Sequence, residues 1–214
     1  MLTSRLGLTG TEPLLVGLSA HPDDLEIGCG GTLLRLLDEH PGLRVVSVVL
    51  TGGGVRADEA RRALSGFTSG RGELHLLGLH DGFLPAVWGE AKALLQEATA
   101  GLRPDLVLAP SGSDAHQDHR VVSELAWQVF RDTLVLEYEI PKWEADRVPT
   151  NAYVALPPAV VDRKLGLLQE HYVSRARHPW FNDEVFRGLL RVRGIECGST
   201  YAEGFYARKL LLAP

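Results

Sequence analysis

Cysteine is scarce in this 214-residue chain. Cys29 and Cys197 form no CxxC pair and have no zinc-ribbon spacing, so a thiolate metal site is excluded. Each sits beside a glycine and reads as a small buried thiol rather than half of a disulfide. Long apolar runs are also missing. The stretch from Leu14 to Ala20 is far too short to span a bilayer. The segment Met1 to Thr11 has no long apolar stretch ahead of a small-residue cleavage site. A soluble, cytoplasmic protein with no membrane insertion is expected. There is no excess of positive charge: 22 Lys and Arg stand against 27 Asp and Glu, a net charge of -5 without a basic block. Bulk electrostatics thus give no ground for a nucleic-acid partner. Repeats, low-complexity tracts and linkers are absent, so one domain over residues 1–214 is expected.

What is present is an alternation of strand and helix. Leu14 to Ala20 reads as a buried strand. Gly31 to His40 carries Leu33, Leu34, Leu36 and Leu37 at helical spacing and closes at Pro41-Gly42. Val45 to Leu50 is β-branched and almost wholly apolar, a second central strand. A loop at Thr51 to Gly54 leads to a helix over Arg56 to Leu64, then a short strand over Glu73 to Leu77. Helix, strand, helix and strand follow at Ala91–Leu102, Leu106–Ala109, Gln117–Arg131 and Leu134–Tyr138. The pattern predicts an α/β fold: a Rossmann-like, mostly parallel sheet between helices, with ligands at the carboxyl ends of its strands. The last third predicts a C-terminal α/β extension. It has a strand at Tyr153–Leu156, helices at Val160–Val173 and Asp183–Arg193, and a strand or helix from Tyr206 to Leu212. Its mixed apolar and charged helices offer a surface for a homo-oligomer.

Two polar clusters stand at predicted strand ends. The first is Ala20-His21-Pro22-Asp23-Asp24, ahead of Gly28-Cys29-Gly30-Gly31. The second is Asp114-Ala115-His116-Gln117-Asp118-His119. A strand-end histidine alone is more often a loop residue than a ligand, and Asp23, Asp24 or Asp114 could merely cap a helix. The glycines read as a tight turn. They lack the GxGxxG register and follow two acids, which argues against a dinucleotide fingerprint. Two clusters with complementary donors favour one metal ion over these separate readings. His21, Asp24 and His119 supply two imidazoles and a carboxylate, the open catalytic pattern for zinc, although iron, cobalt or manganese would accept the same donors. Asp23, beside a ligand yet free of the ion, suits a general base. His116 can donate to a developing oxyanion. Asp118 can orient His116 through its second nitrogen. Arg56 stands where a guanidinium could reach a sugar hydroxyl or phosphate, or is a plain helix-start arginine. Tyr138, Glu139 and Trp143 could shape a sugar pocket or pack in the core. Lys142 and Arg177 read as surface charges.

The paired motifs AHPDD at residues 20–24 and HxDH at residues 116–119 resemble those of the LmbE-like family, also called the PIG-L deacetylase family. Its members are zinc-dependent N-deacetylases acting largely on compounds containing N-acetylglucosamine. The resemblance covers at least residues 14–131. It extends more loosely to Arg193–Gly198 and Tyr201–Phe205. It implies one zinc ion per chain on His21, Asp24 and His119, with Asp23 as base and His116 as transition-state stabiliser. The implied substrate is a small acetylated amino sugar or its conjugate. Two positions depart from the common pattern. Leu25 stands where many members carry Glu, with Glu26 one residue later and without a role. Gln117 replaces the more usual proline.

Overall fold

A computed structural model describes residues 6, 8, 10–144 and 147–211. Among these, seven strands form one sheet: β1 (Leu14–Ser19), β2 (Arg44–Thr51), β3 (Gly72–Leu79), β4 (Leu106–Pro110), β5 (Leu134–Tyr138), β6 (Ala152–Leu156) and β7 (Tyr201–Tyr206). Their spatial order is β3-β2-β1-β4-β5-β7-β6. The first five pair with one another in parallel, and β7 runs antiparallel to both β5 and β6. Every residue of β1 and β4 is buried, as strands covered on both faces require.

The α-helices of the described residues are α1 (Asp24–Glu39), α2 (Gly54–Thr68), α3 (Trp88–Ala98), α4 (Gln117–Val129), α5 (Pro158–His171) and α6 (Asp183–Cys197). Helices α1, α2, α5 and α6 build a core on one face, around Leu15, Phe67, Leu168 and Phe186. Helices α3 and α4 cover Val16 and Leu18 on the other. Alternate side chains of β1 thus enter opposite cores, as the period of two demands. From β1 the chain first moves outward to β2 and β3. It then returns to the other side of β1 with β4 and β5. The order reverses between β1 and β4, where a doubly wound sheet opens a crevice at its carboxyl edge.

The first helix differs from expectation. It starts at Asp24, and Gly28, Gly30 and Gly31 lie inside it rather than in a turn. Close packing explains them. A Cβ at Gly28 would lie 2.3 Å from the Tyr138 ring, and one at Gly31 2.5 Å from Leu156. The helix breaks at Cys29 (φ -143°, ψ 22°). In an unbroken helix Gly31 N–H would donate to Ile27 C=O. Here Gly31 N–H and Thr32 N–H donate to the carboxylate of Glu203, at 2.8 and 2.6 Å. Ile27 C=O accepts from Lys164 Nζ at 2.7 Å, and Lys164 and Glu203 are themselves 2.7 Å apart and buried.

Three smaller expectations are also corrected. The final strand is Tyr201–Tyr206, because β7 must reach into the sheet to pair with β5 and β6; residues 207–211 are irregular, and Leu212 lies outside the described residues. Cys197 is only half-buried, since it closes α6 at the surface, whereas Cys29 is buried; both thiols are free. Lys142 is no surface charge, because its stem is covered and its ammonium is held on Asp114. Among the described residues no helix is long and apolar enough to cross a membrane.

Candidate metal and catalytic site

The loop after β1 and the start of α4 bring both polar clusters to the crevice between β1 and β4. The first loop is rigid. Asp24 Oδ2 accepts from His21 N–H at 2.8 Å, and Thr51 Oγ1 donates to Ala20 C=O at 2.6 Å. Gly52, at φ +102°, packs against Pro22, where a Cβ would approach the ring to 2.7 Å.

His21 Nδ1, Asp24 Oδ2 and His119 Nε2 form a nearly equilateral triangle. The sides are 3.2 Å between the two nitrogens, and 3.4 and 3.5 Å from Asp24 to His21 and His119. Ligands about 2.0–2.1 Å from a tetrahedral ion stand roughly 3.3 Å apart, so the three atoms fit one face of such a polyhedron. Two other triples also converge, His21–His116–His119 and His21–Asp81–Asp118, each with donor atoms within 4.8 Å. In the His21–Asp24–His119 triangle no side exceeds 3.5 Å, and all three residues are buried.

The surroundings orient these donors. His119 Nδ1 donates to Asp114 Oδ2 at 2.9 Å, which leaves Nε2 facing the triangle. The same oxygen accepts from Lys142 Nζ at 2.6 Å. His21 Nε2 lies 3.0 Å from Asp81 Oδ1, out of line for a hydrogen bond.

Electrostatics point the same way. Burial opposes a charge on His119, yet Asp24 and Asp114 outweigh it and hold the pKa at about 9. Burial likewise opposes a charge on His21, but Asp24, Asp118 and Asp81 raise its pKa well above the usual imidazole range. Burial works against ionised Asp24, and the two histidines keep it well below the usual carboxylate range. Two ring nitrogens 3.2 Å apart share at most one proton, so the rings do not both carry full charge. Among the described residues, Asp23, Asp24, Asp81, Asp114 and Asp118 meet only Arg56, Arg175 and Lys142 as fixed cations. The imbalance matches one divalent cation.

Asp23 occupies the N-cap position of α1 but makes no side-chain cap bond. Its carboxylate is instead gripped by two arginines. Arg56 Nη2 donates to Oδ1 at 3.0 Å, and Arg175 donates through Nε to Oδ2 at 2.7 Å and through Nη2 to Oδ1 at 3.2 Å. Arg56 also donates to Asp81 at 3.0 Å. His116 caps α4, its Nδ1 accepting from Asp118 N–H at 3.2 Å. Neutral His116 therefore carries its proton on Nε2. Burial, with the neighbouring His119 and His21, lowers its pKa and keeps it neutral. The ring centroids of His21 and His119 lie 4.8 and 4.7 Å from that of His116. The link from Asp118 to His116 thus runs through the backbone. The Asp118 carboxylate accepts from Gly82 N–H at 2.6 Å and Leu84 N–H at 3.1 Å, pinning the loop that carries Asp81.

The site opens into a cavity of about 180 Å³ whose rim includes Trp143, Arg175, His178 and Trp180. Trp143 is exposed there. Tyr138 is a core residue whose hydroxyl donates to Leu18 C=O, and Glu139 is paired with Arg193. Sequence reasoning missed Asp81, Arg175 and the buried role of Lys142. No local motif marks them, because each meets the site only through the fold.

A mostly parallel α/β sheet thus carries, at its switch point, a His/Asp site able to hold a metal ion. Residues 16–130 match the PIG-L profile, described as GlcNAc-PI de-N-acetylase, and the chain belongs to this family of deacetylases. The uncharacterized deacetylase YaiS of Escherichia coli K12 is 25% identical over 172 residues, covering 73% of this chain and 89% of its own. The conserved protein TT1542 of Thermus thermophilus superposes with a TM-score of 0.73 at 25% identity, over 94% of this chain and 96% of that one. N,N'-diacetylchitobiose deacetylase of Pyrococcus horikoshii shares the fold at a TM-score of 0.69 and 22% identity, over 91% and 83% of the two chains.

Proposed function

We propose that this deacetylase removes the acetyl group from an N-acetylated amino sugar or a conjugate containing one, with zinc held by His21, Asp24 and His119. The observation that carries the reading is the triangle of donor atoms, 3.2 to 3.5 Å on a side, in a cavity that Asp23 also lines. When bound, a divalent cation polarises the amide carbonyl and acidifies water. Asp23 accepts the proton of the attacking water, for which a carboxylate without other proton donors than arginine is suited. His116 donates from Nε2 to the oxyanion of the tetrahedral intermediate. Asp118 assists by holding the His116 tautomer through its N–H and the Asp81 loop through its carboxylate. Protonated Asp23, or His116, then delivers a proton to the departing amine, leaving acetate and a free amino sugar. Arg56, held on the cavity-lining Asp23 and Asp81, contributes contacts to sugar oxygens beyond those two bonds.

Support for a sugar comes from the fold shared with N,N'-diacetylchitobiose deacetylase and from the aromatic rim of Trp143 and Trp180. The test is acetate release by metal-loaded protein from N-acetyl sugars, their phosphates, nucleotide sugars and diacetylchitobiose. Release from at least one, abolished by a chelator and restored by zinc, is expected. No acetate from any of them would refute the reading.

A further inference from the structure

The carboxylate assigned as the base is tethered from a part of the chain beyond the family match. We infer that Arg175 is a positioning residue for Asp23, fixing the plane of its carboxylate so that one lone pair is left for the proton it receives. This inference rests on the proposed role of Asp23.

The argument begins with the acceptor capacity of a carboxylate, about four lone-pair sites on two oxygens. Arg175 fills one on each oxygen through a side-on fork, with Nε at 2.7 Å from Oδ2 and Nη2 at 3.2 Å from Oδ1. Arg56 takes a further site on Oδ1 at 3.0 Å. One site on Oδ2 remains. A planar fork sets both the position and the tilt of a carboxylate, which a lysine ammonium does not do.

The backbone around Arg175 is built to hold that fork still. Arg175 ends a single 3₁₀ turn, Val173–Arg175, that follows α5. Two residues, Tyr172 and Ser174, fasten it through three hydrogen bonds. Tyr172 is buried, and its hydroxyl donates to Pro22 C=O at 2.7 Å, next to Asp23. Ser174 donates through N–H and Oγ to the two oxygens of Glu59, at 2.8 and 2.6 Å. Glu59 is itself buried on α2, one turn beyond Arg56. A single helix therefore carries one arginine of the clamp and holds the loop that presents the other. Surface ion pairs do not come with such support. The side chains of Asp23 and Arg175 are only 3% and 20% exposed.

Arg175→Ala and Arg175→Lys test the inference, with Asp23→Asn as reference and metal content and Tm recorded for each. On an active substrate, Arg175→Ala is expected to lower kcat about 10- to 100-fold, as misplacement of a reacting group does. KM should stay within about twofold, because contacts common to substrate and transition state are untouched. Low-millimolar guanidinium should restore part of that kcat in Arg175→Ala and none in Asp23→Asn. Arg175→Lys should fall between wild type and Arg175→Ala. Wild-type kcat in Arg175→Ala, or a lost kcat that guanidinium leaves unmoved while metal content is intact, would overturn the inference. Crystal structures of wild type and Arg175→Ala decide the matter without turnover. The Asp23 carboxylate should rotate or split between rotamers in the variant, and an unchanged single rotamer would overturn the assignment. If Asp23→Asn keeps full activity, the proposed base falls; if only the Arg175 variants do, the base stands and the positioning role falls.

Discussion

Asp114 accepts from His119 Nδ1 at 2.9 Å, and this bond decides which nitrogen of that ring meets His21 and Asp24. Lys142, on the same carboxylate oxygen, keeps Asp114 ionised; its pKa is lowered despite burial by His119 and Lys142. The pair lies outside the donor triangle, yet it sets the triangle's geometry.

Asp114→Asn is therefore expected to weaken metal binding about 10- to 100-fold while leaving the fold intact, the usual effect of losing a partner behind a ligand. Competition with a chromophoric chelator measures it. Unchanged affinity would show that His119 is oriented without Asp114.

Lys164→Met should destabilise the protein by about 3–5 kcal/mol, because it strands the buried Glu203 carboxylate and frees Ile27 C=O together. Denaturant unfolding reports the loss. The double variant Lys164→Met/Glu203→Gln should recover part of it, since no uncompensated charge stays behind.

Glu26 makes stability depend on pH. Burial, opposed by the Tyr172 hydroxyl 2.8 Å away, raises its pKa from 4.5 to about 7. Between those values the folded state keeps a proton that the unfolded chain has lost, so stability falls as pH rises through the window. Glu26→Gln cannot ionise and removes this loss. In metal-free protein the Tm of the variant should match wild type near pH 4.5 and exceed it increasingly up to about pH 8. The gap there corresponds to about 3 kcal/mol, at about 1.4 kcal/mol per pKa unit. A gap that does not vary with pH would contradict the assignment.

Two glycines in helices should respond oppositely to alanine. Gly28→Ala forces a methyl into the Tyr138 ring and should cost about 1–3 kcal/mol. Gly166, exposed in α5 with nothing near its missing Cβ, should gain about 0.5–1 kcal/mol. Thermal unfolding of the two variants separates them by sign.

What the sequence made legible was local. The apolar runs of β1, β2 and β4 stand near their expected bounds, and the two polar clusters meet because both follow neighbouring parallel strands. The glycines of α1 were misread because their reason is a neighbour far along the chain, Tyr138 behind Gly28 and Leu156 behind Gly31. A glycine cluster looks like a turn until the ring that fills its place is known. Lys142 and Arg175 were missed for the same cause. Nothing beside either residue in the chain announces that Asp114 or Asp23 waits across the fold.

The family match ends at residue 130, yet Lys142, Lys164, Arg175 and Glu203 all lie beyond it. The three proposed metal donors lie within the matched residues, whereas Arg175, which grips Asp23, and Lys142, which holds Asp114, lie outside them. Chimeras that exchange the region after Arg131 between relatives would change the grip on Asp23 and the Lys164–Glu203 splint of α1 in one stroke, with His21, Asp24 and His119 carried over unaltered.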